Sequence, residues 1–174
     1  KILDDIISKN GKGIIYKTDV SKEDQVIKMF ADVVKQFGTV DILVNNAGIQ
    51  KDSPFEKMSL EYWNAVISVN LTGQFLCARE AVKVFLKRGI DTSRSVACGK
   101  IIHISSVHEI IPWAGHANYA SSKGAIRMLM QTLAQEFGAD KIRVNSICPG
   151  AIQTNINKEA VSTPQALNSL MSLI

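Results

Sequence analysis

Short, largely apolar runs alternate with longer amphipathic stretches along the sequence, and this alternation restricts the fold more than any other feature. Asp41 to Ala47, Lys100 to Ser106 and Ile142 to Cys148 have the length and composition of buried strands. The stretches between them repeat apolar residues at helical spacing, as Val26 and Phe30 do. Continuous apolar strands separated by amphipathic helices are typical of a parallel sheet covered on both faces. The predicted fold class is therefore α/β, with a doubly wound parallel sheet.

Further elements follow from capping and turn residues. Lys1 to Asn10 is predicted to be the tail of a helix, and Gly13 to Asp19 a short strand. Ser21 is a plausible N-cap of the next helix. A single long helix is expected from Leu60 to about Arg88, and Thr163-Pro164 has the chemistry that opens another.

Size and composition exclude several classes of protein. The 174 residues, 46% hydrophobic and 21% charged, fit one ordinary globular domain. We expect a single, partial domain over residues 1–174, incomplete at both ends and taken from a longer protein. The net charge of +4 comes from scattered lysines, so a nucleic-acid surface is not indicated. No run approaches the roughly 20 apolar residues of a membrane span. Cys77, Cys98 and Cys148 are far apart, which predicts reduced thiols in a cytoplasmic protein without a metal site.

Tyr119 and Lys123 form the pair with the clearest chemical meaning. Residues four apart share one helix face, and an ammonium beside a phenol favours the phenolate, which lowers the pKa of the tyrosine. A Y-x-x-x-K pair alone is weak evidence, but this sequence also has three predicted strands that end in polar or Gly-rich turns. They carry Asn45-Asn46-Ala47-Gly48, Ser105-Ser106 and Pro149-Gly150. Ligands of open α/β sheets bind at the carboxyl ends of the strands. The sequence therefore predicts a general acid or base at this edge.

Together these motifs resemble those of the short-chain dehydrogenase/reductase family. The resemblance extends along nearly the whole chain, and in the loops after Ser106 and Pro149 it is greatest to the glucose 1-dehydrogenase branch. It implies a Rossmann-like fold, NAD or NADP as cofactor, a small alcohol or carbonyl substrate, and a homo-oligomer (dimer or homotetramer) with no nucleic-acid or membrane partner. The residues that carry it are Asp19-Val20, Asn45 to Gly48, Asn70, Ser106, Tyr119, Lys123 and Pro149-Gly150 with Thr154.

The resemblance also implies roles for the catalytic positions. Tyr119 would exchange the proton with the substrate, and Lys123 would lower the pKa of Tyr119 and hold the nicotinamide ribose. Ser106 would hydrogen-bond the carbonyl oxygen, with Ser105 as the alternative at this position, interpreted as strand packing. Asn70 would lie at a helix irregularity and hold a water that relays protons to Lys123.

Binding roles follow in the same way. Ser106, His108 and Tyr119 would contact substrate. Asp19 could instead be only a turn former, and Asn45 to Gly48 a plain tight turn. The positions expected to bind cofactor are Asp19, Val20, Asn46, Ala47, Gly48, Tyr119, Lys123, Pro149, Gly150, Ile152 and Thr154.

One family motif has no counterpart in this sequence. Family members begin with a strand and a G-x-x-x-G-x-G turn that holds the pyrophosphate, whereas Gly11-Lys12-Gly13 precedes a predicted strand. The end of the family's second strand, whose charge selects NAD or NADP at the ribose 2′ position, also has no counterpart, so the cofactor preference cannot be read from this sequence. We expect an oxidoreductase that interconverts a secondary alcohol, plausibly a sugar such as glucose, and a carbonyl. The alternatives are a 3-oxoacyl or other ketone reductase and, in another class, a catalytically silent fragment or oligomer subunit.

Overall fold

A parallel sheet of three strands forms the centre of the structure. The computed structural model describes residues 2–152, 163–165 and 168, and its strands are β1 (Ile42–Asn45), β2 (Gly99–Ile104) and β3 (Ile142–Ile147). They lie side by side in the order β1-β2-β3. Ile42 pairs with Lys100, and Lys100 pairs with Arg143. All three carboxyl ends therefore meet at one edge.

Five α-helices of seven or more residues accompany the strands in the described part of the chain. They are α1 (Ile2–Ser8), α2 (Glu23–Phe37), α3 (Leu60–Ile67), α4 (Gly73–Arg88) and α5 (Ala117–Glu136). Helix α2 ends at Gly38, whose φ of 84° places it in the left-handed region that closes many helices. None of these helices combines the length and apolar composition needed to cross a membrane.

The hydrophobic core lies on one face of the sheet. Buried Ile101 and Val144 point towards α2, α4 and α5, which all contribute side chains to the same cluster. At Gly99 a Cβ atom would lie 2.2 Å from the ring of Phe85, so only glycine permits this contact between β2 and α4. The alternate residues of β1, such as Val44, are exposed on the opposite face. The parallel sheet flanked by helices confirms the predicted fold class.

The stretch predicted as one helix from Leu60 to Arg88 contains an irregular turn. One turn of π-helix, Ser68–Thr72, separates α3 from α4. Such single turns are frequent at functional sites. Asn70 lies within this turn, at a helix irregularity as the family resemblance implied, and it is completely buried.

Two local predictions are wrong. Gly13 to Asp19 forms no strand: the sheet of the described residues has three strands, and this segment pairs with none of them. Ser21 is not an N-cap: α2 begins at Glu23, and the Ser21 hydroxyl donates to Asp19 instead. The helix predicted from Thr163 falls largely outside the described residues, and the single domain stays a prediction.

Candidate active site

Tyr119 and Lys123 lie on one face of the first turns of α5. The Lys123 ammonium nitrogen is 5.4 Å from the centroid of the Tyr119 ring. The same nitrogen donates to the carbonyl oxygen of Ile104, the last residue of β2, at 2.8 Å. Only 5% of Lys123 is exposed. The helix therefore directs a buried cation towards the carboxyl end of the central strand.

Ser106 follows β2 and faces the same point. It is buried, and its hydroxyl lies close enough to Tyr119 to lower the pKa of that phenol. Its hydroxyl oxygen also accepts from the backbone N–H of His108 at 3.2 Å, which fixes the start of a short helical turn, Val107–Glu109. The alternative, Ser105, donates to the carbonyl oxygen of Lys123 at 3.4 Å. Ser106 is therefore the serine that contacts the tyrosine.

The pKa of Tyr119 departs from the sequence-based expectation. Burial raises the pKa of its phenol above the ordinary value, the nearby hydroxyl of Ser106 acts in the opposite direction, and the negative charge of Asp52 raises this pKa further. Burial also lowers the pKa of Lys123 to about 8. The expectation that Lys123 lowers the pKa of the tyrosine is not met here. The ammonium nitrogen lies 5.4 Å from the ring centroid and donates to the carbonyl of Ile104, and burial is the largest influence on the pKa of the phenol.

Asn70 holds a loop and touches the catalytic helix. Its side-chain oxygen accepts from the N–H of Ile49 at 2.8 Å, and its NH₂ group donates to the Ile49 carbonyl at 3.0 Å. The same NH₂ group lies 3.2 Å from the hydroxyl of Ser122, which adjoins Lys123. The expected proton relay through Asn70 stays a prediction. Its bonds to Ile49 and Ser122 are structural contacts that the motif alone did not reveal.

The residues expected to bind cofactor lie along the edge formed by the strand ends. Asn46, Ala47 and Gly48 are exposed just after β1. Val20 packs so closely on α4 that a Cβ at Gly73 would lie 2.7 Å from its methyl group. The segment at Val20, the end of β1 and the start of α4 enclose a cavity of about 10 Å³. It is lined by Val20, Asn45, Ala47, Val69, Gly73, Gln74 and Cys77.

The other expected cofactor residues are less uniform. The carboxylate of Asp19 accepts from both the N–H and the hydroxyl of Ser21, at 3.0 and 2.7 Å, as a turn former does. Pro149 and Gly150 follow β3, and the carbonyl of Pro149 accepts from the N–H of Val107 at 3.1 Å. Ile152 is 56% exposed, and Thr154 lies outside the described residues.

These residues suit a dinucleotide. Lys123 has three N–H donors, and one of them donates to Ile104, so two donors remain that would suit the hydroxyls of a ribose. Glycine at position 48 keeps the backbone open beside Asn70, whose side-chain oxygen would be 3.4 Å from an added Cβ.

A stack of three aromatic rings borders the site. The indole of Trp113 lies 4.3 Å from the ring of His108 and 3.4 Å from the ring of His116, measured between centroids, and is nearly parallel to both. The two imidazoles must cover opposite faces, because on one face their atoms would overlap. Tyr119 meets Trp113 edge to face at 6.4 Å. The stack of His108, Trp113 and His116 forms the wall of the site beside Tyr119.

Sequence reasoning missed three residues at this wall. Asp52 lies 3.2 Å from the Nε2 atom of His116, and Asn118 bonds to a loop distant in sequence. No motif marks Asp52 or His116. The position of Asn118, directly before Tyr119, was the only available signal.

Comparison with known proteins agrees with this geometry. The family model for short chain dehydrogenases matches residues 1–165. The chain belongs to the short chain dehydrogenase family. It is 46% identical over 164 residues to 3beta-hydroxysteroid dehydrogenase 1 of Eggerthella lenta, and the match covers 94% of this chain and 60% of that protein. It is 41% identical to glucose 1-dehydrogenase of Gluconobacter oxydans, with 94% and 59% covered.

A solved structure extends the similarity to the fold. Gluconate 5-dehydrogenase from Burkholderia cenocepacia J2315, in complex with NADP and tartrate, superposes with a TM-score of 0.88 at 29% identity. The match covers 98% of this chain and 64% of that one. The chain thus spans about 60% of the length of the curated relatives it matches.

Proposed function

We propose that this chain carries the proton-transfer centre of an NAD(P)-dependent oxidoreductase that interconverts a secondary alcohol and a carbonyl. One observation carries the proposal: Ser106, Tyr119 and Lys123, from a strand end and a helix, converge at the carboxyl edge of the sheet. A phenol, a hydroxyl and a buried ammonium grouped at one point can bind a carbonyl oxygen and transfer one proton to it.

Hydride transfer and proton transfer would be carried by different groups. When bound, the nicotinamide accepts or supplies the hydride. The hydroxyls of Ser106 and Tyr119 bind the substrate oxygen, and Tyr119 gives up a proton in reduction or takes one in oxidation. Because burial raises the pKa of Tyr119, the neutral phenol needed for reduction prevails at neutral pH. Oxidation needs the phenolate, so its rate should rise with pH until the phenol is ionised.

The dinucleotide would lie across the strand ends. Lys123 would donate to the ribose next to the nicotinamide, and Asn46 to Gly48 would line the adenine side. Asp19 and Val20 would contact the adenine, with Pro149, Gly150, Ile152 and Thr154 around the nicotinamide. Both NAD and NADP are candidates.

We propose a sugar as substrate, in keeping with the glucose 1-dehydrogenase relative. His108 supports this choice. Its Nδ1 atom lies 3.0 Å from the carbonyl oxygen of Ile111, and since a carbonyl only accepts, Nδ1 must carry the proton. In the neutral ring Nε2 is then an acceptor, which suits a second substrate hydroxyl.

A steroid alcohol is the second candidate. Ile110 and Ile111, directly after the His108 turn, are 66% and 45% exposed. Exposed apolar residues beside a polar centre suit a large apolar substrate, and the 46% identical relative is named a hydroxysteroid dehydrogenase. A 3-oxoacyl or other ketone reductase would use the same Ser106, Tyr119 and Lys123.

A substrate panel separates these candidates. The intact protein is assayed with glucose, other aldoses, 3β-hydroxysteroids and 3-oxoacyl thioesters, each with NAD or NADP in the matching redox state. We expect dinucleotide-dependent turnover of a sugar, with steroid turnover as the second possibility. No turnover of any member with either dinucleotide would contradict the proposal and favour a catalytically silent subunit.

We also propose that the intact protein is a cytoplasmic dimer or homotetramer assembled through its long helices. Phe75 on α4 and Met128 on α5 support this, since they are 42% and 62% exposed. Light scattering during size-exclusion chromatography measures the mass; a monomer at micromolar concentration would contradict the proposal.

A further inference from the structure

The loop Ile49–Ser53, called here the bridging loop, connects the cofactor side of the site to the catalytic helix. It begins directly after Gly48. Asn70 holds its first residue through both backbone groups of Ile49, at 2.8 and 3.0 Å. Two bonds from one side chain to one residue fix both the position and the orientation of that peptide.

The far end of the bridging loop is tied to the residues that precede Tyr119. The N–H of Ser53 donates to the carbonyl of Gly115 at 3.0 Å. Asp52 lies 3.2 Å from the Nε2 atom of His116. Both contacts join the loop to the segment that leads into α5.

Asn118 provides the central tie. It is completely buried, and its NH₂ group donates to the carbonyls of Lys51 and Tyr62 at 2.9 and 3.3 Å. Its side-chain oxygen accepts from the backbone N–H of Tyr119 at 2.8 Å. This N–H belongs to the first turn of α5, where backbone donors have no partner within the helix. One amide thus joins the bridging loop, α3 and the tyrosine.

We propose that Asn118 is a positioning residue that holds Tyr119 in register with the cofactor side of the site through the bridging loop. The inference rests on the proposed function for its catalytic meaning. A shift of about 1 Å in a reacting group can slow a reaction about 100-fold. Aspartate has the same shape but would turn a carboxylate oxygen towards the carbonyls of Lys51 and Tyr62. Alanine would leave these two carbonyls and the N–H of Tyr119 without their side-chain partner.

The test compares three variants of the intact protein with the wild type. Asn118→Ala removes the tie, Asp52→Asn alters the loop without touching Asn118, and Asn64→Ala is a matched control on an exposed position of α3. Two quantities are measured. One is kcat and KM for substrate and dinucleotide. The other, independent of activity, is the titration of Tyr119 by ¹³C NMR of labelled tyrosines, assigned with Tyr119→Phe.

The charged and titratable groups around Tyr119 define the expected titrations. They are Lys123 on its own helix, Asp52 in the bridging loop, and His108 and His116 on the two faces of Trp113. Removing the negative charge by Asp52→Asn should lower the pH at which Tyr119 ionises, because that charge opposes the phenolate. In an Asn118→Ala background the same change should have a smaller effect, because the loop is no longer held in place.

For catalysis we expect Asn118→Ala to reduce kcat about 10- to 100-fold, with a smaller change in the KM of the alcohol and with Asn64→Ala unchanged. If Asn118→Ala left both kcat and the titration of Tyr119 as in the wild type, the proposal would be overturned. If Asn118→Ala does not fold, Asn118→Ser takes its place, because serine keeps a polar group before Tyr119 and removes the two donors to Lys51 and Tyr62; wild-type kcat and titration of Tyr119 in that variant would overturn the proposal. A protein without dehydrogenase activity in which the NMR coupling is present would refute the proposed function and leave the positioning role intact.

Discussion

Replacing Lys123 by methionine should change how the stability of the protein depends on pH. Burial lowers the pKa of Lys123 from 10.5 to about 8. Below pH 8 the ammonium is charged in both the folded and the unfolded chain, and the folded chain bears the cost of burying it. Between about 8 and 10.5 the folded chain has lost this proton and the unfolded chain retains it. The unfolding free energy therefore rises with pH in this interval.

The pKa difference sets the magnitude. At about 1.4 kcal/mol per pKa unit, this difference corresponds to about 3 kcal/mol of stability that is absent at neutral pH and regained by about pH 10.5. Methionine keeps the length of the side chain without the charge. The unfolding free energy of Lys123→Met minus that of the wild type should therefore be about 3 kcal/mol lower at pH 10.5 than at pH 7.

Urea unfolding followed by circular dichroism at the two pH values measures this difference. Titrations elsewhere in the chain largely cancel between variant and wild type. The matched control is Lys87→Met on α4, because the Lys87 side chain is exposed and stays hydrated in the folded protein. A difference between Lys123→Met and wild type that is the same at both pH values would refute the argument that burial of this cation destabilises the fold.

Two further predictions concern the framework of the site. Arg88 donates to the carbonyls of Val40 and Cys98, so Arg88→Ala should lower the unfolding free energy by about 2–3 kcal/mol; urea unfolding that matches the wild type would contradict this. Gly99→Ala should lower the unfolding free energy by about 1–3 kcal/mol because the new methyl group overlaps the ring of Phe85. The control is Gly124→Ala, where the nearest atom would be 3.8 Å away, and thermal unfolding of the two variants compares them.

The sequence predicts those parts of the site that depend on local spacing. Tyr119 and Lys123 share a helix face because they are four residues apart, and the apolar run before Ser105 and Ser106 marks that pair, within which the family resemblance selects Ser106. The strands β1, β2 and β3 were predicted within one or two residues. Each of these inferences needs only a short window of sequence.

The remaining features depend on contacts between distant segments. Asn118 and Lys51 are 67 positions apart, and no local pattern connects them. The segment from Gly13 to Asp19 has the composition of a strand, but a strand also needs a neighbour that supplies hydrogen bonds. The direction of the pKa shift of Tyr119 failed for the same reason, since its burial is a property of the folded chain.

The most direct test of the proposed chemistry is the turnover of Tyr119→Phe. The substitution removes one hydroxyl, so the variant should unfold at nearly the wild-type temperature and keep its affinity for the dinucleotide. With the preferred substrate of the panel, we predict that kcat falls at least about 100-fold, as expected when a general acid or base is lost. A variant that reduces or oxidises the nicotinamide at the wild-type rate would show that the proton does not pass through Tyr119.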